Sequence, residues 1–147
     1  MLKKALFLFS LLTLSACSST GSINVPGISS APEVEFSNLY LRGVFNWWEA
    51  NAPYKFTKAN GGWQVDVELI ADGQPYDFKV SDANWTPSQS CGGKYKGQPV
   101  TVNTTSYLIC AGDSETLQFT PSDTGTYRFT IMSASGNEIR LLITRAG

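Results

Sequence analysis

The sequence contains no histidine, and that absence removes the Ser-His and Cys-His arrangements used in most nucleophilic catalysis. Its three cysteines, with no histidine beside them, are too few soft ligands for a structural zinc site. No metal or cofactor is expected. Basic clusters are also missing: beyond Lys3 and Lys4 the positive charges are scattered and the formal net charge is −1, which argues against a nucleic-acid partner. The apolar run over residues 5–14 is too short to cross a bilayer as a helix. After it there is no helical pattern of ordinary length and no internal repeat. A carboxylate pair for glycoside hydrolysis would have to come from Asp66, Glu68, Asp72, Asp77 or Asp82. Solvated acids on strand surfaces explain these residues more simply, so the chain is not expected to be an enzyme.

What the first residues do contain is ordered. Lys3 and Lys4 precede the apolar run, which ends in Leu14-Ser15-Ala16-Cys17, the layout of a cleavable signal peptide. The last four residues resemble the lipobox of bacterial lipoproteins, in which the cysteine is acylated and becomes the first mature residue. That resemblance implies a signal peptide over residues 1–16, lipid on Cys17 and attachment to a membrane through it. Ser18, where inner-membrane lipoproteins tend to carry Asp, favours the outer membrane. Cys91 and Cys110 remain, and two leftover cysteines in an exported chain are expected to pair as a disulfide.

Residues 17–37 are rich in Ser, Gly and Pro without periodicity and read as the lipidated cysteine followed by a flexible tether, with a reach on the order of 20–25 Å. From Asn38 the pattern changes to period two. Trp63, Val65, Val67 and Leu69 alternate with Gln64, Asp66 and Glu68, and similar runs begin near residues 39, 76, 105, 116, 126 and 139. Asn60-Gly61-Gly62, Ala71-Asp72-Gly73 and Ser135-Gly136-Asn137 punctuate them as turns. The expectation is an all-β domain over residues 38–147, an antiparallel β-sandwich of about seven strands.

Two patches within that domain resemble a known family. Leu39-Tyr40-Leu41-Arg42-Gly43-Val44-Phe45-Asn46-Trp47-Trp48 is similar to the opening strand and loop of glycogen- and starch-binding modules, and Tyr76-Asp77-Phe78-Lys79-Val80-Ser81-Asp82-Ala83-Asn84-Trp85 to their second strand and loop. Cys91-Gly92-Gly93 and Gly125-Thr126-Tyr127-Arg128-Phe129-Thr130 resemble later segments of the pullulanase-associated members. The resemblance implies an immunoglobulin-like early-set sandwich. It also implies a carbohydrate site with Trp48 and Trp85 as stacking rings and Lys79 as a hydroxyl donor, to which Asn46 and Asn84 could add amide contacts. Such a site suits the chemistry, because a pyranose presents a C–H face that packs on an indole and rim hydroxyls that need polar partners. Trp63, set in strand alternation, is assigned to the core, and Trp47 to packing beside an exposed Trp48.

The expected function is therefore a non-catalytic lipoprotein of the envelope that binds an α-glucan such as starch, glycogen or maltodextrin, with a glycoside hydrolase as a companion. The alternative is an accessory or assembly lipoprotein whose sandwich docks an envelope protein partner. Cys17→Ser is expected to leave the preprotein unprocessed by the lipoprotein pathway or to release it in soluble form, which membrane fractionation reads directly. Unchanged membrane association of that variant would contradict lipidation.

Overall fold

Period-two alternation sends every second residue to one face of a strand, and the strands form where it is strongest. The structure, a computed structural model, describes residues 33–147; the expected signal peptide, Cys17 and the expected tether up to residue 32 lie outside the described residues. Ten strands follow in order: β1 (Tyr40–Gly43), β2 (Thr57–Ala59), β3 (Gly62–Leu69), β4 (Tyr76–Ser81), β5 (Cys91–Gly92), β6 (Gln98–Pro99), β7 (Ser106–Cys110), β8 (Leu117–Phe119), β9 (Gly125–Ser133) and β10 (Glu138–Arg145). Seven of them are the expected runs. The other three, β2, β5 and β6, are two or three residues long, too short to show a period. One pair departs from the antiparallel expectation, β6 running parallel to β8.

Hydrogen bonding is continuous along β2-β3-β9-β10-β7-β5-β4-β8-β6, with β1 added on β4. The path folds over so that β4 and β8 face β9 across an all-β sandwich. Phe78 on β4 meets Phe129 on β9 edge-on at 5.3 Å, and Phe119 on β8 meets Tyr127 at 5.2 Å. These rings lie in a core shared with Leu41, Val80, Leu117, Ile131 and Leu141, all buried. Trp63 is partly buried against that core and lies stacked with Phe36 at 6.4 Å between ring centroids, in keeping with its assignment.

Residues 33–37, placed by composition in the tether, are held to the domain. Gln89 is the clamp: its side-chain oxygen accepts the Glu35 N–H at 2.8 Å and its amide nitrogen donates to the Glu33 carbonyl at 3.2 Å. Phe36 is the apolar anchor that the surrounding Ser, Gly and Pro composition concealed.

The two layers are joined through β5. Cys91 pairs with Val80 of β4 on one side and with Cys110 of β7 on the other. Cys91 and Cys110 are bonded as expected, directly opposite in register with Cα atoms 3.9 Å apart. The bond closes a loop with a sequence separation of 19, for which loop entropy gives about 3 kcal/mol. Reduction is therefore expected to lower the melting temperature by about 10 °C, measured by circular dichroism with and without reductant. An unchanged melt would mean that the seam is held without the bond.

Candidate functional site

Arg42 and Lys79 are directly opposite one another on β1 and β4. Leu41 and Val80, one step along each strand, are buried in the core, so the two cations share the outer face. Like charges in this position repel. The structure surrounds each with acceptors and places an indole over both.

Arg42 is only 7% exposed. Its Nε donates to the Trp48 carbonyl at 2.6 Å, and one terminal nitrogen donates to the carbonyls of Asp82 and Ala83 at 2.9 and 3.3 Å. The guanidinium carbon lies 3.9 Å from the centre of the Trp85 ring, within the range of a cation–π contact. Burial pushes the Arg42 guanidinium below its ordinary value, while the carboxylates of Asp82 and Glu49 raise it. Lys79 donates to the Ser114 carbonyl at 2.7 Å, with its ammonium 6.0 Å from the Trp85 ring centre. Burial likewise lowers its pKa, opposed by Glu115.

Gly92 makes that lysine contact possible. A Cβ there would collide with the Glu115 carbonyl and come within 3.0 Å of Lys79 Cε, so only glycine lets the 114–115 segment close on β4 and β5. The segment is fixed by Gly93–Glu115 backbone hydrogen bonds at 2.7 and 2.9 Å and by the Ser114 hydroxyl, which donates to the Ser90 carbonyl at 2.9 Å.

Among the described residues, three of the five non-glycine residues with positive φ are tryptophans: Trp47 at 56°, Trp48 at 60° and Trp85 at 54°. Left-handed backbone is costly for a bulky residue and persists only where its surroundings impose it. For Trp47 and Trp48 the enforcing residue is Asn46. Its Oδ1 accepts the Gly43 N–H at 2.9 Å, and its Nδ2 donates to the carbonyls of Leu41 and Glu49 at 3.0 and 3.1 Å. The turn is closed by the Trp48 N–H, which donates to the Gly43 carbonyl at 2.9 Å. For Trp85 the brace is Asp82, whose Oδ1 accepts the Thr86 N–H at 2.9 Å.

The expected residues are thus partly brought together. Trp85 is 38% exposed, with one face on Arg42 and Lys79 nearby. Trp48 is partly exposed and tied to the same guanidinium by its backbone. Asn46 must be corrected: it is 6% exposed and its amide is consumed in the loop, so it builds the site without contributing to its surface. Asn84 is exposed but lies in a neighbouring groove with Asn38, Tyr40, Lys55, Asp82 and Ala83. Trp47 also departs from expectation, being 88% exposed. The strand ends at Gly43, and a 3-10 turn over Val44–Asn46 followed by two left-handed residues leaves no strand alternation to turn it inward. The residue missed altogether is Arg42, whose role depends on a strand register that the sequence does not state.

The site is therefore a braced aromatic platform on the outer face of a β-sandwich, with cations beneath and beside it. No family model matches the chain, and no curated protein matches it in sequence. The fold is similar to that of a solved structure described as the ligand-induced structure of AmyP-SBD, with a TM-score of 0.54 and 16% sequence identity. The match covers 100% of this chain and 97% of that one.

Arg42→Met, which keeps the aliphatic stem but leaves three carbonyls without their donor, is expected to cost about 2–3 kcal/mol of stability. It should also increase quenching of tryptophan fluorescence by acrylamide as Trp85 loses its support. A variant with unchanged melting and quenching would show that Arg42 does not organise the two loops.

Proposed function

We propose that this chain is a non-catalytic α-glucan-binding module carried on a lipoprotein of the bacterial envelope. In this reading lipid on Cys17 attaches it to the outer membrane, and the sandwich holds starch, glycogen or maltodextrin there beside a separate glycoside hydrolase. The observation that carries the proposal is Trp85: one face of its indole rests on a buried guanidinium, its exposed surface lies beside a lysine, and its backbone is fixed in a strained conformation. A ring so supported loses little freedom when a sugar packs on it, and in this reading Lys79, 6.0 Å from the ring centre, and Trp48, whose carbonyl holds the same guanidinium, join it in contacting the ligand. Structural likeness to AmyP-SBD, a starch-binding domain, supports the same ligand class.

Lys79 has one N–H committed to Ser114, which leaves the ammonium two donors for sugar hydroxyls. Stacking contributes about 1 kcal/mol per ring beyond area burial, and a charged hydrogen bond roughly 1.5–3 kcal/mol. Set against the ordering of a flexible oligosaccharide, these give dissociation constants of about 10 µM to 1 mM. Trp47 and Val44, at 88% and 47% exposure on one loop, are the observation that favours the second reading, docking of an envelope protein partner.

Affinity electrophoresis in gels containing amylose, glycogen or pullulan tests the first reading. Wild-type protein should be retarded, and Trp48→Ala or Trp85→Ala should weaken the retardation. Neither ring belongs to the core cluster, so both variants should stay folded by circular dichroism, without the roughly 3–5 kcal/mol cost of emptying a core aromatic position. Folded wild-type protein that migrates unretarded in all three gels would leave the docking reading as the better one.

A further inference from the structure

The loop that presents Trp85 has a second side. Asp82, Ala83 and Asn84 form one wall of an open groove whose other wall is Asn38, Tyr40 and Lys55. The groove lies outside the core and is not part of the tryptophan platform. Its lining has the mixture that a sugar requires, a flat ring with amides and charges at its rim. Tyr40 is partly exposed, and the side chains of Asn38, Lys55 and Asn84 are exposed. The exposed Lys55 ammonium stands over the Tyr40 ring, 5.8 Å from its centre, where it can donate to a hydroxyl of a sugar at the ring's rim. Asp82 uses Oδ1 for the Thr86 N–H and the Ser81 hydroxyl, and its second oxygen can accept from a ligand.

The groove is also close to the platform. Tyr40 and Arg42 are two residues apart on β1, hence on the same face and about 7 Å apart along the strand. Arg42 is the residue on which Trp85 rests, and Ala83, whose carbonyl it also holds, belongs to the groove wall. A single oligosaccharide can therefore reach both.

We propose that this groove is a second sugar subsite, in which Tyr40, Lys55, Asn38 and Asn84 receive residues of an α-glucan chain beyond those held at Trp85. The module then prefers long chains to short ones, because the second contact is made within an already bound ligand. This inference rests on the α-glucan reading of Trp85.

The test is titration calorimetry of the full chain in detergent with maltotriose and with maltoheptaose. Wild-type protein should bind maltoheptaose about 3- to 10-fold more tightly, the increment of one further aromatic contact. Tyr40→Ala should remove that preference without changing maltotriose affinity. Lys55→Ala, at an exposed position, should reduce the preference as well, and it keeps the test decisive if Tyr40→Ala fails to fold. Equal wild-type affinity for the two sugars, or a length preference retained in Lys55→Ala and in folded Tyr40→Ala, would overturn the subsite while leaving the Trp85 platform standing. Wild-type protein that binds neither sugar would overturn the α-glucan reading, and the subsite with it.

Discussion

Arg42 and Lys79 face each other across β1 and β4, and the organisation of the surface above them depends on keeping two cations there. Carboxylates of Asp82, Glu49 and Glu115 act on them from neighbouring segments. Loops arriving from three parts of the chain bring the carbonyls of Trp48, Asp82, Ala83 and Ser114 to the charged groups, and Trp85 covers the guanidinium with its ring. Each loop thus closes on a cation that it satisfies, and the buried arginine joins the two tryptophan loops. Such an arrangement resists piecemeal change, because removing the charge leaves several acceptors unpaired at once.

Strain is distributed accordingly. Left-handed backbone at Trp47, Trp48 and Trp85 costs on the order of 1–3 kcal/mol each, and the sandwich offsets it through local braces, Asn46 in one loop and Asp82 in the other. The rest of the fold holds the braces in place. Phe45 stacks on Tyr54 at 5.4 Å and contacts Tyr76 at 6.3 Å, which anchors the first loop. Beside the second, β5 with its disulfide and Gly92 allow the 114–115 segment to close on Lys79. An aromatic surface held this firmly needs little reorganisation to bind, as the proposed α-glucan site asks of its individually weak contacts.

Much of the scaffold was legible because period two is a direct consequence of strand geometry. The alternation over residues 63–69 and 126–131 names Val65, Val67, Leu69, Tyr127, Phe129 and Ile131, which are buried in β3 and β9, and Trp63, which is partly so. The short strands β2, β5 and β6 left no such trace, and Phe36 was hidden in a Ser/Gly/Pro context. The loops were harder to read. The resemblance of the two patches to glycogen- and starch-binding modules singled out Trp48, Lys79 and Trp85, and the structure gathers the Trp48 backbone, the lysine and the Trp85 ring around Arg42. Orientation was beyond it: whether Trp47 or Trp48 faces water is decided by backbone angles that no alternation rule supplies, and whether Asn46 meets ligand or backbone depends on three partners that only the closed loop provides. Arg42 looked like an ordinary outward strand residue until the register set it against Lys79.

The proposed glucan site depends on Trp48 and Trp85, and each of the four tryptophans carries an Nε1–H that NMR can follow separately. During titration of isotope-labelled protein with maltoheptaose, the indole signals of Trp48 and Trp85 should move in a saturable way, with Trp63, packed beside Phe36, unmoved. Loss of the Trp85 shift in Arg42→Met would tie that response to the guanidinium. A titration in which the Trp48 and Trp85 signals stay fixed at saturating sugar, or in which Trp47 alone responds, would contradict the assignment of the platform to Arg42, Lys79, Trp48 and Trp85.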